Sequence, residues 1–518
     1  MARRQTSPLV TIVRTLGDDP AIHRRIADAL RTAIAQGTLQ GGARLPSTRT
    51  LASDLGVSRT TVEAAFAQLD AEGLLVRRVG SGTFVSETGL ERESAPRPAP
   101  APAGARTPTA APKLSQRGHH LVAYGRATAA TSARTFAPCV SNLDAFPFAV
   151  WNRLLGARAR RSSAALSAAI EPAGLRALRE AVADYVGSSR GVRCTYENVL
   201  IATSTQHVLD LSARVLLDPG DRVWLEDPGY LGARSAFAAA GARLVPVPVD
   251  ARGLSVSEGI ARAPDARLAY VTPSYQYPLG ITMSLERRTE LLAWAAAAGA
   301  WIFEDDYDSE FRFSGQPLAA IKGTDAHDHV LYAGTFNKVM FPSLRLAYLV
   351  APVDIIDALV IARSLSDGPV AALTQATMAD FMTEGHFAAH IRSTRTFCEE
   401  RRDALVDSVA RELAGAVSIA RTETGMHCVG WLPQGTDDAV VSQRASTRGL
   451  DMPPLSRYFL GRDDREPYEP RDRRALHEGD GRTAPAVPTA KPGLVMSYCA
   501  ATPAEIRSGI RTLARCLG

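Results

Sequence analysis

A lysine amine can attack an aldehyde, and the neighbourhood of Lys338 suits that reaction. Gly334-Thr335-Phe336-Asn337 precedes it, Arg345 follows seven positions later, and Glu304-Asp305-Asp306-Tyr307 lies upstream. Together they point to a Schiff base with an aldehyde cofactor, its phosphate held by hydroxyl and guanidinium groups. The chain has four lysines, Lys113, Lys322, Lys338 and Lys491, against 55 arginines, so few residues compete for the role.

Pyridoxal phosphate is the aldehyde cofactor whose needs can be checked one by one. It requires an amine for the imine, an acid for the ring nitrogen, a donor for the phenolate, a flat ring cover and phosphate donors. Lys338 is the imine candidate. Asp305 follows the strand-like run 301–304 and suits the ring nitrogen. At about 4 Å and an effective dielectric of about 20, that attraction is of order 4 kcal/mol before desolvation. Tyr307, two residues on, suits the phenolate, and Tyr230 in Glu226-Asp227-Pro228-Gly229-Tyr230 suits the ring face. Ser204 and Thr205 lie between a strand and the helix of Val208 and Leu211, where backbone and hydroxyl donors meet a phosphate. Thr335 and Arg345 complete that cup. Taken singly, each has a plainer reading: a surface lysine, a turn-capping aspartate, a core tyrosine, an ion-paired arginine. Their order and surroundings reverse those odds.

Such groups need a frame. From about Pro138 onward, apolar runs alternate with amphipathic helices: Val199-Leu200-Ile201-Ala202, Arg222-Val223-Trp224-Leu225, Leu268-Ala269-Tyr270-Val271, Trp301-Ile302-Phe303 and Val330-Leu331-Tyr332. Buried strands separated by helices predict an α/β layer with a largely parallel sheet. The polar groups fall just after these runs, at the strand ends where such sheets bind ligands.

The first 86 residues read differently. Ile26, Ala29, Leu30, Ala33 and Ile34 repeat at helical spacing, and the helix ends near Gly37. Ser47 caps a second helix that Gly56 ends, and Ser58 caps a third whose Val62, Ala65, Phe66 and Leu69 face inward. Two strand-like runs joined by Gly80-Ser81-Gly82 then predict a β-hairpin wing. Ser58, Arg59, Thr60 and Thr61 open the third helix, as base-reading residues of a recognition helix do. Arg44, Ser47 and Arg49 suit the phosphates, and the wing glycines, Gly82 among them, permit close approach to a groove. A helical protein-binding module is the plainer alternative.

Composition agrees with a two-domain globular chain: 518 residues exceed one ordinary core. Residues 1–86 hold 11 Lys/Arg against 7 Asp/Glu, whereas the remainder holds 48 against 47, so the excess positive charge sits in the head. The six cysteines are scattered without a C-x-x-C pair, which indicates neither a disulfide framework nor a zinc site; no metal is expected. No signal peptide is visible, and the longest apolar segment, 291–303, is too short to span a bilayer, so a cytoplasmic location is expected. Residues 87–113 lose periodicity and gain six prolines, reading as a semi-extended linker before a domain over 114–518. Residues 461–492 read as a charged surface insertion.

The head motifs Arg44-Leu45-Pro46-Ser47-Thr48-Arg49, Gly56-Val57-Ser58-Arg59-Thr60-Thr61-Val62 and Gly80-Ser81-Gly82-Thr83-Phe84-Val85 resemble the GntR-type winged helix-turn-helix. Glu171-Pro172-Ala173-Gly174-Leu175-Arg176, Asp218-Pro219-Gly220-Asp221, Thr272-Pro273-Ser274-Tyr275-Gln276-Tyr277-Pro278 and Gly334-Thr335-Phe336-Asn337-Lys338 resemble the fold-type-I aminotransferase domain. Joined, the two resemble the MocR/GabR regulator family. The resemblance implies a homodimeric, head-to-tail regulator that binds operator DNA through two half-sites and pyridoxal 5'-phosphate through Lys338. Asp305, Tyr307, Tyr230, Tyr277, Ser204, Thr205, Thr335 and Arg345 complete its implied cofactor set. An amine or amino acid is the implied effector, exchanging with Lys338 at the Schiff base. A working aminotransferase with a DNA tether is the alternative, and a DNA-binding protein with an inert dimer platform a third reading. Residual transaminase activity is compatible with the first. Tyr275 stands where the family usually has histidine, Asn337 where it has serine, Ser204 where it has glycine, and Ala347 where it has glycine. Residues 494–498 lack the arginine that grips a substrate carboxylate in many aminotransferases, which argues against an α-carboxylate effector.

Overall fold

The computed structural model describes residues 22–87, 114–115, 118, 134–314, 318–460 and 491–517, apart from 79, 139–140, 142, 162–165, 167 and 169–170. The expected linker 87–113, apart from residue 87, and the expected insertion 461–492, apart from residues 491 and 492, lie outside the described residues. The chain divides into two compact units, Met1–Pro112 and Lys113–Gly518.

In the first unit three helices, α1 (Ile22–Ala35), α2 (Thr48–Leu55) and α3 (Arg59–Ala71), precede a hairpin of β1 (Leu75–Arg78) and β2 (Gly82–Val85). The caps act where the sequence puts them. Ser47 Oγ accepts from Thr50 N and Ser58 Oγ from Thr61 N, both at 3.1 Å, while Gly56 adopts φ +69° at the end of α2. Each serine cap is worth about 1 kcal/mol. Ile26, Leu30 and Ile34 of α1 meet Leu51 of α2, Val62, Phe66 and Leu69 of α3, and Leu75 and Val85 of the wing in one core. Phe66 is 1 % exposed at its centre. Phe66→Ala is expected to cost about 3–5 kcal/mol, much of the stability of so small a domain. Amide exchange should rise throughout residues 22–85 and stay unchanged in the strands of the second unit.

The second unit is built on an eight-stranded sheet ordered β3-β10-β9-β8-β7-β4-β5-β6. Its strands are β3 (Val199–Ala202), β4 (Arg222–Asp227), β5 (Arg243–Asp250), β6 (Gly253–Leu254), β7 (Leu268–Val271), β8 (Trp301–Asp306), β9 (Val330–Thr335) and β10 (Ala347–Val350). The run from β9 through β8, β7 and β4 to β5 is parallel; β10 is antiparallel to both neighbours, and β6 is antiparallel to β5. Successive side chains point to opposite faces of a strand. On β4, Val223 and Leu225 join one helix layer while Trp224 joins the other; Phe303 and Ile302 of β8 divide the same way. Because both faces are covered, these strands are apolar without alternation. The layers contain α4 (Thr205–Leu216) and α5 (Leu231–Ala239) on one side and α6 (Leu285–Ala298) on the other.

A three-stranded sheet, β11 (Ser418–Ile419), β12 (His427–Trp431) and β13 (Gly493–Ser497), packs with α7 (His386–Glu412) and α8 (Pro503–Leu517). Here cysteine spacing misleads. Cys398 of α7 and Cys499, just after β13, form a disulfide across a separation of 101 residues. Their proximity comes from the packing of α7 beside the C-terminal segment, which no local spacing records. Among the described residues, no helix is long and apolar enough to cross a membrane, and no group of His, Cys, Asp or Glu suits a metal ion.

Candidate cofactor site and candidate DNA-binding face

Strand register brings together the residues expected to hold a phosphate. Ala347 of β10 pairs with Ala202 of β3 on one side and Thr335 of β9 on the other. Thr335, the last residue of β9, and Ser204 and Arg345, each two residues from the nearby ends of β3 and β10, are thereby brought to one edge although 141 positions separate Ser204 from Arg345. Ser204 is the N-cap of α4, its hydroxyl accepting from His207 N at 3.2 Å, with Thr205 the first helical residue. The Thr335 hydroxyl accepts from Asn337 N at 3.2 Å. Both hydroxyls act here as acceptors, leaving the proton as the part each offers a ligand oxygen. The helix N-terminus adds its backbone donors and positive dipole end. Arg345 is exposed, with φ +55° in the left-handed region.

Asp305 lies inside β8, which runs two residues further than the 301–304 run suggested. Its Oδ2 accepts from Tyr270 Oη at 2.8 Å. Its Oδ1 is buried and has no hydrogen-bond partner among the described residues. Next to it, Asp306 takes the other face: Arg190 Nε donates at 3.0 Å, and Ser309 and Tyr332 hydroxyls at 2.6 Å. The adjacent aspartates therefore have different jobs. Asp306 closes a structural network, although its Oδ1 also has no hydrogen-bond partner among the described residues, and Asp305 presents its unmet Oδ1 within electrostatic reach of Lys338.

Burial pushes the Asp305 carboxyl up to about 7, with the Tyr270 hydrogen bond opposing, Asp306 reinforcing and Lys338 opposing. Burial does the same to Glu226 and Glu304, each raised to about 7. Those two are braces: Glu226 accepts from Thr272 N and Oγ1 and from Gln276 Nε2, and Glu304 from the Ile321 and Lys322 amides. The folded chain holds these protons where unfolded carboxyls, near pH 4, have lost them. The cofactor-free protein should therefore lose stability as pH rises from about 4 through about 7. Asp305→Asn, which keeps an acceptor for Tyr270, should reduce that loss when urea unfolding at pH 5 and pH 7.5 is compared. An undiminished pH dependence would clear Asp305 of the effect.

Lys338 is half-buried, and Ser141 Oγ donates to its carbonyl at 2.7 Å. Tyr230 is the residue before α5, its ring 6.1 Å from that of Tyr277, edge to face; Tyr277 and Tyr307 are 6.0 Å apart in the same manner. The Tyr277 and Tyr458 hydroxyls share a 2.9 Å hydrogen bond. Tyr307 Oη donates to the Tyr275 carbonyl at 2.9 Å, and Tyr275 Oη in turn to the His427 carbonyl at 2.5 Å. Tyr275, standing where histidine is usual, thus ties the 272–278 loop to β12. Gly280 and Gly425 lie against its ring, where an added Cβ would come within 2.6 and 2.3 Å.

Sequence reasoning missed Tyr270 and Ser141. A phenol inside an otherwise apolar strand was a signal for Tyr270; Ser141 sits in no motif and gave none. The donor set fits pyridoxal phosphate: a buried carboxylate oxygen without a partner suits a protonated ring nitrogen, leaving such an oxygen unmet costs about 1–3 kcal/mol, and the charge of the Lys338 amine reaches that carboxylate.

On the first unit, Arg44, Ser47, Arg49, Ser58, Arg59, Thr60 and Gly82 are exposed and Thr61 is half-buried. Arg44 lies against Gly82 of the wing, which adopts φ +111°, and an added Cβ there would meet Arg44 Nε at 3.2 Å. Ser58 Oγ also shares 2.7 Å hydrogen bonds with the Thr60 and Thr61 hydroxyls. Arg59 pairs with Glu63 one turn on, at 2.8 Å.

The pattern of bacterial regulatory proteins of the gntR family matches residues 22–85, and that of class I and II aminotransferases matches residues 149–451. The chain is 40% identical over 442 residues to the probable rhizopine catabolism regulatory protein MocR of Rhizobium meliloti, covering 85% of this chain and 88% of that one. It is 31% identical over 516 residues to the HTH-type transcriptional regulator TauR of Rhodobacter capsulatus, covering 98% and 99%. Among solved structures, the kynurenine aminotransferase of Pyrococcus horikoshii, in complex with PMP, superposes with a TM-score of 0.64 at 25% identity, over 79% of this chain and 95% of that one.

Proposed function

The chain belongs to the MocR-type transcriptional regulators, a GntR helix-turn-helix domain joined to an aminotransferase-like domain, and from that membership we propose that it senses an amine or amino acid through pyridoxal phosphate held at Lys338. The observation that carries the reading is Asp305, buried within electrostatic reach of Lys338 and with one oxygen unmet. Pyridoxal phosphate, when bound, would supply an electrophilic carbon open to amines, and Lys338 would be the chain's own amine there. Asp305 holds the ring-nitrogen proton, and Tyr270 holds Asp305 in place. Tyr230 covers the ring, with Tyr277 and Tyr307 beside it. Ser204, Thr205, Thr335 and Arg345 hold the phosphate.

The DNA contacts fall to the first unit. Ser58, Arg59, Thr60 and Thr61 open the recognition helix, Arg44 and Arg49 face phosphates, and the wing approaches a groove at Gly82. Ser47 acts there chiefly as a helix cap. A head-to-tail homodimer presents two such heads to two half-sites. The test is a spectral screen of amines and amino acids against cofactor-loaded protein, paired with operator binding. One compound should shift the visible band and operator affinity over the same concentration range. A compound that moves the band without moving operator binding would remove the sensing role. The likeness to aminotransferase structures favours a second reading, a working transaminase, which repeated turnover of an amino donor with a keto acceptor would establish.

A further inference from the structure

Asn337 has a side chain that joins three segments of the site. Its Nδ2 donates to the Thr203 carbonyl at 3.2 Å, and its Oδ1 accepts from Leu346 N at 3.0 Å. Thr203 directly precedes Ser204, the cap of α4, and Leu346 directly follows Arg345. One amide group thus links the loop bearing Lys338, the turn that opens α4 and the turn that bears Arg345. Backbone contacts run parallel to it: Phe336 N donates to the Leu346 carbonyl at 3.1 Å, and Asn337 N to the Thr335 hydroxyl at 3.2 Å.

Arg345 is where such a tie matters. Its backbone is left-handed, φ +55° and ψ +48°, a conformation that residues other than glycine hold only when the surroundings impose it. The Arg345 side chain is exposed, whereas Leu344 and Leu346 on either side are buried. The peptide N–H just after the strained residue is the one Asn337 grips. Serine has one polar atom on a shorter stem, whereas the asparagine amide separates its donor and its acceptor and reaches two segments at once.

We infer that Asn337 is a positioning residue for the phosphate of the cofactor, acting through Arg345 and the α4 turn without touching the ligand. The inference rests on the cofactor reading above and adds a specific consequence: Asn337 sets how strongly the site prefers a phosphorylated ligand over its unphosphorylated counterpart. A role confined to general folding would weaken both ligands alike.

The experiment measures binding of pyridoxamine 5'-phosphate and pyridoxamine to the full-length protein by calorimetry; neither has a carbonyl to react with Lys338. Wild type should prefer the phosphorylated ligand strongly. Asn337→Ala and Asn337→Ser should each lower that preference about tenfold, the worth of one misplaced charge-assisted hydrogen bond, with little change in pyridoxamine affinity. Arg345→Ala should lower it as well, and adding Asn337→Ala to it should cost less than Asn337→Ala costs alone, because only the part carried by the α4 turn is then left to lose. Equal weakening of both ligands, or losses that multiply in the double variant, would overturn the inference. A wild type that binds phosphorylated ligand while Asn337→Ala and Asn337→Ser bind it equally well overturns this inference alone. A wild type that binds neither overturns the cofactor reading beneath it.

Discussion

Lys338→Ala is expected to abolish the response of DNA binding to amines while leaving DNA binding itself in place. Lys338 is the half-buried amine whose charge acts on Asp305, and the other three lysines belong to none of the motifs around the site. Borohydride treatment of the loaded wild type should fix the cofactor to the peptide containing Lys338, as seen by mass, and fix none on the variant. Residual cofactor should remain through the phosphate cup, since Ser204, Thr335 and Arg345 are untouched. The loss of response follows from magnitude. Inverting a 1:99 equilibrium needs a preference of about 10⁴ for one state, and exchange of a covalent bond is the event in this site able to supply it. An unchanged visible band together with unchanged regulation in Lys338→Ala would refute the mechanism.

Deleting residues 1–86 should have an equally large effect on the other activity. Every candidate DNA-contacting group lies in that segment, as does most of the excess positive charge, 11 Lys/Arg against 7 Asp/Glu. Operator affinity should fall to the nonspecific level, a loss of about 10³-fold or more, and the salt dependence of binding should flatten as phosphate contacts disappear. The core of the first unit is its own, with Ile26, Leu51, Phe66 and Val85 packed among themselves, so the shortened protein should retain its cofactor spectrum. Retained operator binding would refute the division of labour between the units.

Much of this could be read without coordinates because it is local. Ser47 and Ser58 cap helices and Gly56 ends one, since a hydroxyl reaching a free amide and a left-handed glycine are properties of three or four adjacent residues. The apolar runs became strands because their length and uniform hydrophobicity suit a sheet covered on both faces. Lys338, Asp305, Tyr307 and Arg345 drew notice because their spacing falls within short motifs.

The tertiary structure decided what depends on contacts between distant segments. Asp305 and Asp306 are interchangeable by sequence; the pleat of β8 sends one to Tyr270 and the other to Arg190, Ser309 and Tyr332. Asn337 read as a departure from pattern, and its use appeared only when β10, inserted between β3 and β9, brought Thr203 and Leu346 within reach of one side chain. Cys398 and Cys499 gave no sign of pairing because no spacing rule covers a separation of 101 residues. Helix caps, strand runs and cofactor motifs were determined by the sequence alone, because their energies arise between near neighbours. Which aspartate meets Tyr270 and which meets Arg190, what braces Arg345 and which cysteines pair were decided by strand order and helix packing, which bring together residues that the chain keeps far apart.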